Sequence, residues 1–258
     1  MVGNIEPHHF AGFSGGHKTA AIGLTGRQTI NKNHAMLIEP GARIAEFTNN
    51  PLRQDIEEIG NLVGGNIALN AILNGEKKIV QAVCGDPSAV IWEGIPICQR
   101  ICQIQANGKY DLVIASVGGA PKDINFYQSQ KALTHASLFT RDGGVIILVA
   151  ACPEGTGSHA YEEFMQGIRT PDEVFTKFRS QGFKVGPHKA FQVAKEAARV
   201  HIILLSMIPS ELVKGLLMTP AKTLSEASKS AFGILSPALP QELRIAVLPR
   251  ATSTIPVN

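Results

Sequence analysis

From about residue 106 the apolar positions gather into short unbroken runs instead of alternating with polar ones. Asp111 to Ser116, Gly144 to Ala150, His201 to Ser206 and Arg244 to Leu248 are such runs. A strand with one wet face alternates, whereas a continuous apolar run predicts a strand covered on both faces, as in a parallel sheet. Start and stop signals for helices lie between the runs. Thr170-Pro171-Asp172-Glu173 predicts a capping box and Gly182 a stop; Thr223-Leu224-Ser225-Glu226 predicts a second box, with Gly233 as its stop. Strand and helix in alternation predict a three-layer α/β domain over residues 106–258, with ligands at the carboxyl ends of its strands.

The first part of the chain has a different texture. It is irregular and glycine-rich until Asn50-Pro51, where an Asn cap and a first-turn Pro predict a helix with Leu52, Ile56, Ile59 and Val63 on one face. Ile79 to Cys84 predicts a strand ending in the turn Gly85-Asp86-Pro87. Residues 1–105 thus form a first domain and 106–258 a second.

Composition narrows the class. With 258 residues and 44% apolar content the chain can bury a core. A net charge of +3 is too small and too evenly spread to make nucleic acid the default partner. Val145 to Cys152 and Val200 to Ile208, the longest apolar runs, fall short of the roughly 18 residues of a membrane span. Met1 leads into Gly, Asn and Glu, unlike a signal peptide, so a cytoplasmic protein without membrane contact is expected. Cys84, Cys98, Cys102 and Cys152 fit no zinc or disulfide pattern and read as reduced thiols.

Candidate chemistry concentrates near the start. Half of the eight histidines, His8, His9, His17 and His34, fall within the first 34 residues, beside Gly15-Gly16-His17-Lys18. Acid–base or metal chemistry suits that set. Gly12 to Thr19 is also one position away from the phosphate-loop pattern of nucleotide-binding ATPases, the departure being His17 where glycine is needed. A glycine-rich turn with surface histidines is the third reading.

The order His8, Phe10 through Gly16, Lys18, His34 resembles the signature region of the nickel-dependent lactate racemase family. A downstream block, Asp123 to Lys131, resembles the family's substrate-side Tyr-Gln-x-x-Lys through Tyr127, Gln128 and Lys131. The resemblance implies a racemase or epimerase of a small, lactate-like 2-hydroxy acid. Its implied cofactor is a nickel pincer nucleotide, held as a thioamide on Lys18, with His34 as a nickel ligand and Gly15 and Gly16 letting the backbone approach. His8 would be one of two acid–base histidines that move the hydroxyl proton while the α-hydrogen passes as hydride to the cofactor and returns to the opposite face. Gln128 and Lys131 would meet the substrate's carboxylate or oxygen, and Phe191, in the segment His188-Lys189-Ala190-Phe191, would line the pocket. His135, His159 and His201 receive no role.

By the same resemblance the second domain is Rossmann-like and the first is an incomplete cofactor-binding α/β domain, short of core. The family's second acid–base histidine and an arginine precede the first block, so the chain reads as the C-terminal part of such a racemase. The implied partners are cofactor-maturation proteins and a separately encoded N-terminal segment. A non-catalytic fragment or binding module, and a nucleotide-binding ATPase, remain the alternative classes.

Overall fold

A computed structural model describes residues 1–64, 66–236 and 242–257. The chain divides into two compact units, Met1–Gln103 and Ile104–Asn258.

The first unit starts with β1 (Val2–Asn4), the short hairpin strands β2 (Pro7–His8) and β3 (Gly12–Phe13), and the helices α1 (Lys18–Ala21) and α2 (Arg27–Ala35). α3 (Pro51–Val63), β4 (Ala68–Leu73), β5 (Ile79–Gly85) and α4 (Pro87–Cys102) follow. β4 lies between β1, which runs parallel to it, and β5, which runs antiparallel. The Asn50 side chain accepts from the Arg53 N–H and Pro51 occupies the first turn, so α3 begins where its cap dictates. Asp86 and Pro87 start α4 in the same way, and this 16-residue helix stands where the sequence suggested a turn. α2 occupies ground read as irregular, and β4 a stretch to which no element was assigned. Cys98 and Cys102, one turn apart on α4, are buried free thiols. The unit leaves Leu62, Ile67, Ile79 and Val80 exposed.

The second unit follows β6 (Gln103–Gln105) and holds β7 (Tyr110–Ser116), α5 (Phe126–Ser137), β8 (Thr140–Val149), α6 (His159–Met165), α7 (Pro171–Gln181) and α8 (Pro187–Ala197). Then come β9 (His201–Leu205), α9 (Ser210–Gly215), β10 (Thr219–Ala221), α10 (Leu224–Leu235), β11 (Ile245–Leu248) and β12 (Ile255–Val257). Five strands form a parallel sheet in the order β10-β9-β8-β7-β11. From β7 the chain winds outward through β8 and β9 to β10, then returns to place β11 on the other side of β7. That reversal makes a switch point at the carboxyl end of β7, where such sheets open a crevice. Leu112, Val145, Ile147 and Ile203 pack against Ala227, Ala231 and Leu235 of α10. The alternating Val113, Ile146, Leu148 and Leu204 are equally buried, and α5 packs against β7 and β8. The chain therefore has the expected α/β class, with a parallel sheet sandwiched by helices.

Thr170 and Glu173 complete the expected capping box of α7, and Gly182 ends it. The Thr223 hydroxyl accepts from the Glu226 N–H at 3.1 Å, but the Glu226 carboxylate accepts from the Lys222 N–H at 2.7 Å instead of closing the box on Thr223. α10 also runs through Gly233 to Leu235, because the apolar spacing of Ala227, Ala231 and Leu235 continues past it. His201 begins β9 exposed.

Asp111 ties β11 to the sheet. Its Oδ2 accepts from the Arg244 N–H at 2.8 Å and its Oδ1 from Arg141 Nε at 2.5 Å. Burial pushes this carboxyl up, but Arg141 and the Arg244 N–H outweigh burial and hold it below its ordinary value. A depressed native value stabilises the fold above the unfolded carboxyl's pKa and ceases to do so as pH falls through the native one. Asp111→Ala should therefore cost about 2–3 kcal/mol in urea melts at pH 7, with the gap to wild type narrowing once the pH is acid enough to protonate the native carboxyl. A gap that persists unchanged in acid would show that packing, not charge, is what the residue supplies.

Candidate functional site

The glycine loop of the first unit is held through its main chain. Asn50 Nδ2 donates to the Phe10 carbonyl at 2.8 Å, and the Asn70 Oδ1 accepts from the Gly16 N–H at 2.8 Å. Arg53 donates to the Phe13 carbonyl at 2.9 Å and the Gly15 carbonyl at 3.2 Å, and pairs with Glu57 Oε1 at 2.6 Å. Its guanidinium is wholly buried and lies 5.0 Å from the centre of the Phe47 ring. These polar groups satisfy backbone that burial would otherwise leave unpaired.

Gly15 and Gly16, expected to admit a cofactor, are packed against their own chain. Both have positive φ, +84° and +56°, and a Cβ on Gly15 would lie 2.7 Å from Ile5 Cγ1 and 2.8 Å from Asn70 Oδ1. Left-handed backbone and contact with the core suit glycine at both positions, and Gly15 also lines a cleft beside Lys18. The phosphate-loop reading loses its footing here, since the Gly16 N–H is already taken by Asn70 and α1 is only four residues long. His17 is buried, with Nε2 3.2 Å from Ser88 Oγ, which in turn donates to Glu57 Oε2 at 3.4 Å.

That scaffold gathers His8, Lys18 and His34. The Phe10 ring makes T-shaped contacts with both histidines, with centroids 4.7 Å from His8 and 5.0 Å from His34. His8 Nδ1 accepts from the Ala11 N–H at 3.2 Å, so in the neutral ring the proton resides on Nε2. For His34 the tautomer follows from Asn33, whose Nδ2 donates to Leu52 O at 2.9 Å and Asp55 Oδ2 at 2.8 Å. The Asn33 Oδ1 therefore faces His34 Nδ1 at 3.1 Å as an acceptor, which makes Nδ1 the donor and puts the lone pair on Nε2. Burial, and then the charge of Lys18, lower the His34 pKa to about 4, so the ring is neutral at physiological pH. Lys18 lines a cleft of about 360 Å³ together with Asn4, Glu6, Ser14, Gly15 and Thr19.

Among the described residues no group of three or more His, Cys, Asp and Glu side chains comes together as a metal cage. A neutral imidazole with an oriented lone pair, beside a lysine on a cleft, suits a metal that arrives with its own organic ligands.

In the second unit the loop after β7 leads into α5, whose first two turns carry Tyr127, Gln128 and Lys131. Asn125 caps this helix by accepting from the Gln128 N–H, and the Gly155 and Thr156 carbonyls of the loop after β8 accept from the Phe126 and Tyr127 N–H groups. Both strand-end loops thereby fix the start of α5 at the switch-point end of the sheet. Lys131 Nζ donates to Gln128 Oε1 at 2.9 Å, and both side chains are half-buried. The Tyr127 ring lies 5.8 Å from His188 and 4.5 Å from Lys189 Nζ. Phe191 faces elsewhere: it is 9% exposed and packs against Phe175 and Phe178 of α7, with centroids at 5.4 and 5.1 Å. Its place is accounted for by the seam between α7 and α8.

Sequence reading passed over Arg53, Asn33, Asn70 and Lys189. Arg53 carried one weak signal, the i,i+4 spacing to Glu57.

The family described as the lactate racemase C-terminal domain matches residues 105–255, and that described as the lactate racemase N-terminal domain matches residues 1–45. A lactate racemase of Thermoanaerobacterium thermosaccharolyticum is 34% identical over 260 residues, covering 98% of this chain and 60% of that protein. A lactate racemase of Lactiplantibacillus plantarum is 30% identical over 236 residues, covering 89% and 55%. The solved structure of the lactate racemase apoprotein from Thermoanaerobacterium thermosaccharolyticum aligns with a TM-score of 0.92 at 32% identity, over 100% of this chain and 62% of that one. A Thermotoga maritima protein aligns at 0.75 with 13% identity, over 99% and 65%, a likeness of fold alone. The chain thus spans about three fifths of the length of the curated relatives it matches.

Replacing the clamp tests the scaffold. Arg53→Ala leaves Glu57 and two buried carbonyls without their partner and should destabilise the first unit by about 3–5 kcal/mol in denaturant melts. Amide exchange of residues 10–18 should accelerate with it. Unchanged exchange there would mean that the asparagines alone hold the loop.

Proposed function

Because the chain belongs to the lactate racemase family, we propose that it carries catalytic machinery for racemising or epimerising a lactate-like 2-hydroxy acid, with a lysine-bound nickel pincer nucleotide. The observation that carries this reading is Lys18 on its cleft, a neutral His34 that feels the charge of Lys18, and a Phe10 ring in T-shaped contact with both His34 and His8. Hydride acceptance from the substrate's α carbon is the chemistry such a cofactor supplies when bound.

The protein's own side chains have separable tasks. Lys18 offers a primary amine to the cleft, the group a thioamide tether requires. His34 presents its Nε2 lone pair as a nickel ligand, a role that its native neutrality favours because no proton must be displaced. His8 offers its Nε2–H as a hydrogen-bond donor to a substrate oxygen, and it can take up the hydroxyl proton at Nε2 only in the other tautomer, with Nδ1 protonated and the Ala11 N–H released. In the second unit, Lys131 and Gln128 are already joined by a hydrogen bond, so a carboxylate arriving at the ammonium meets an oriented amide as well. Phe191 supports that unit's helices from inside the α7–α8 seam. Cofactor-maturation proteins are the partners this chemistry requires.

Coexpression with those proteins followed by peptide mapping should find the added mass on the peptide containing Lys18. Lys18→Arg should abolish loading, since a guanidinium is no nucleophile at neutral pH. His34→Ala should keep the adduct and lower nickel content. An adduct on Lys32 or Lys131, or equal nickel in the His34→Ala protein, would reject these assignments.

A further inference from the structure

Lys189 is the buried lysine among the described residues, 2% exposed. Its Nζ donates to Gln130 Oε1 and Gln192 Oε1, each at 3.3 Å, and faces the Tyr127 ring at 4.5 Å. No Asp or Glu among the described residues forms an ion pair with it or with Lys131. Two lysine side chains thus adjoin one patch that has no acidic partner among the described residues. Buried charge without a partner is costly, and an anion delivered from outside relieves that cost.

We propose that Lys189 is a positioning residue for carboxylate recognition: wedged between Gln130 and Gln192 beneath Tyr127, its amine takes up a proton when a carboxylate binds at Lys131. The proposal rests on the reading of Gln128 and Lys131 as the substrate-side pair. At 2% exposure the Lys189 amine does not itself meet the substrate, so it acts through Lys131 and Tyr127.

The surroundings define the direction of the effect. Burial first, and then the charge of Lys131, lower the Lys189 pKa to about 7. The other titratable groups on α5 and α8 facing this region are Tyr127, itself pushed up by burial, and His188, which accepts from the Gly186 N–H. On α6, Glu162 accepts from the Thr156 hydroxyl and Glu163 pairs with His159. On α7, Glu173 closes its own capping box, Asp172 is exposed, and Lys177 donates to the Phe164 carbonyl. Further along α8, burial pushes the Glu196 carboxyl up. Lys131 is left as the charge that governs Lys189. A carboxylate on Lys131 cancels its repulsion, Lys189 becomes protonated, and a second positive charge then stands behind the bound anion. By linkage, protonation of Lys189 must strengthen anion binding by the factor by which the anion shifts its protonation.

The test uses the chain labelled with ¹³C-lysine and sodium L-lactate as probe. The Lys189 side-chain signal should titrate near neutrality without lactate, and its midpoint should rise by about one pH unit or more at saturation, equivalent to about tenfold in affinity. Lactate affinity should correspondingly fall as pH rises through the unliganded midpoint, and Lys189→Met should lose that dependence while still binding. The wild-type titration stands without the variant, should the variant fold poorly. If lactate binds and Lys131→Met weakens it, but the Lys189 midpoint does not move, the inference fails and the substrate-side reading stands. If lactate does not bind, or binds without regard to Lys131, that reading fails and the inference with it.

Discussion

A wholly buried guanidinium grips the main chain of the glycine loop, and the geometry of the first unit's site follows from that grip. Arg53 reaches the Phe13 and Gly15 carbonyls on one side and Glu57 on the other. No neutral side chain offers so many donors in one rigid plane, and a lysine would present a point instead of a fork. Glu57 makes the burial tolerable by supplying the opposite charge, and it extends the network through Ser88 to His17. With the carbonyls fixed, Phe10 contacts both His8 and His34, and Lys18 begins its short helix lining the cleft. Burial, and then the charge of Lys18, depresses His34, and Asn33 dictates its tautomer. The histidine's neutrality is thus a product of neighbours set in place by the clamp.

The second unit reaches its geometry by another route. Its sheet reverses direction beside β7, and the loops leaving β7 and β8 meet at the start of α5. Tyr127, Gln128 and Lys131 are placed by a helix cap and by carbonyls of a neighbouring loop, without a buried ion pair. A site built on strand ends changes through its loops while the sheet stays intact, which suits the substrate-facing part of an enzyme.

What was legible in the sequence depended on whether the signal was local. The runs at 111–116, 144–150 and 201–206 announced parallel strands because full burial removes alternation, and Thr170-Pro171 announced a helix because its cap lies within four residues. Asp86-Pro87 carried the same signal as Asn50-Pro51, yet it read as a turn since the preceding Gly85 favoured one. α2 was hidden by its polarity: Arg27, Gln28, Asn31 and Lys32 give it almost no apolar face, and its anchor is the single buried Asn33. The candidates His8, Lys18 and His34 were visible as residue types in an odd stretch. Arg53, Asn70 and Lys189 were not, because each acts through contacts tens of residues away and no local pattern distinguishes a buried cation from a surface one. Gly233 misled for the converse reason: a glycine ends a helix only where the backbone turns left-handed, and the apolar spacing of α10 carried it through.

The three side chains that hold the glycine loop, Asn50, Arg53 and Asn70, all bond to its peptide groups and to none of its side chains. The loop therefore behaves as a socket whose shape is independent of what is plugged into it. Exchanging Lys18 alters the chemistry offered without touching these bonds, whereas exchanging His8 also removes the bond its Nδ1 accepts from the Ala11 N–H. Exchanging its glycines or its clamps does the reverse. Innovation and upkeep are thereby assigned to different residues of one short segment, so a lineage could retool its reactive groups while inheriting the mount unchanged.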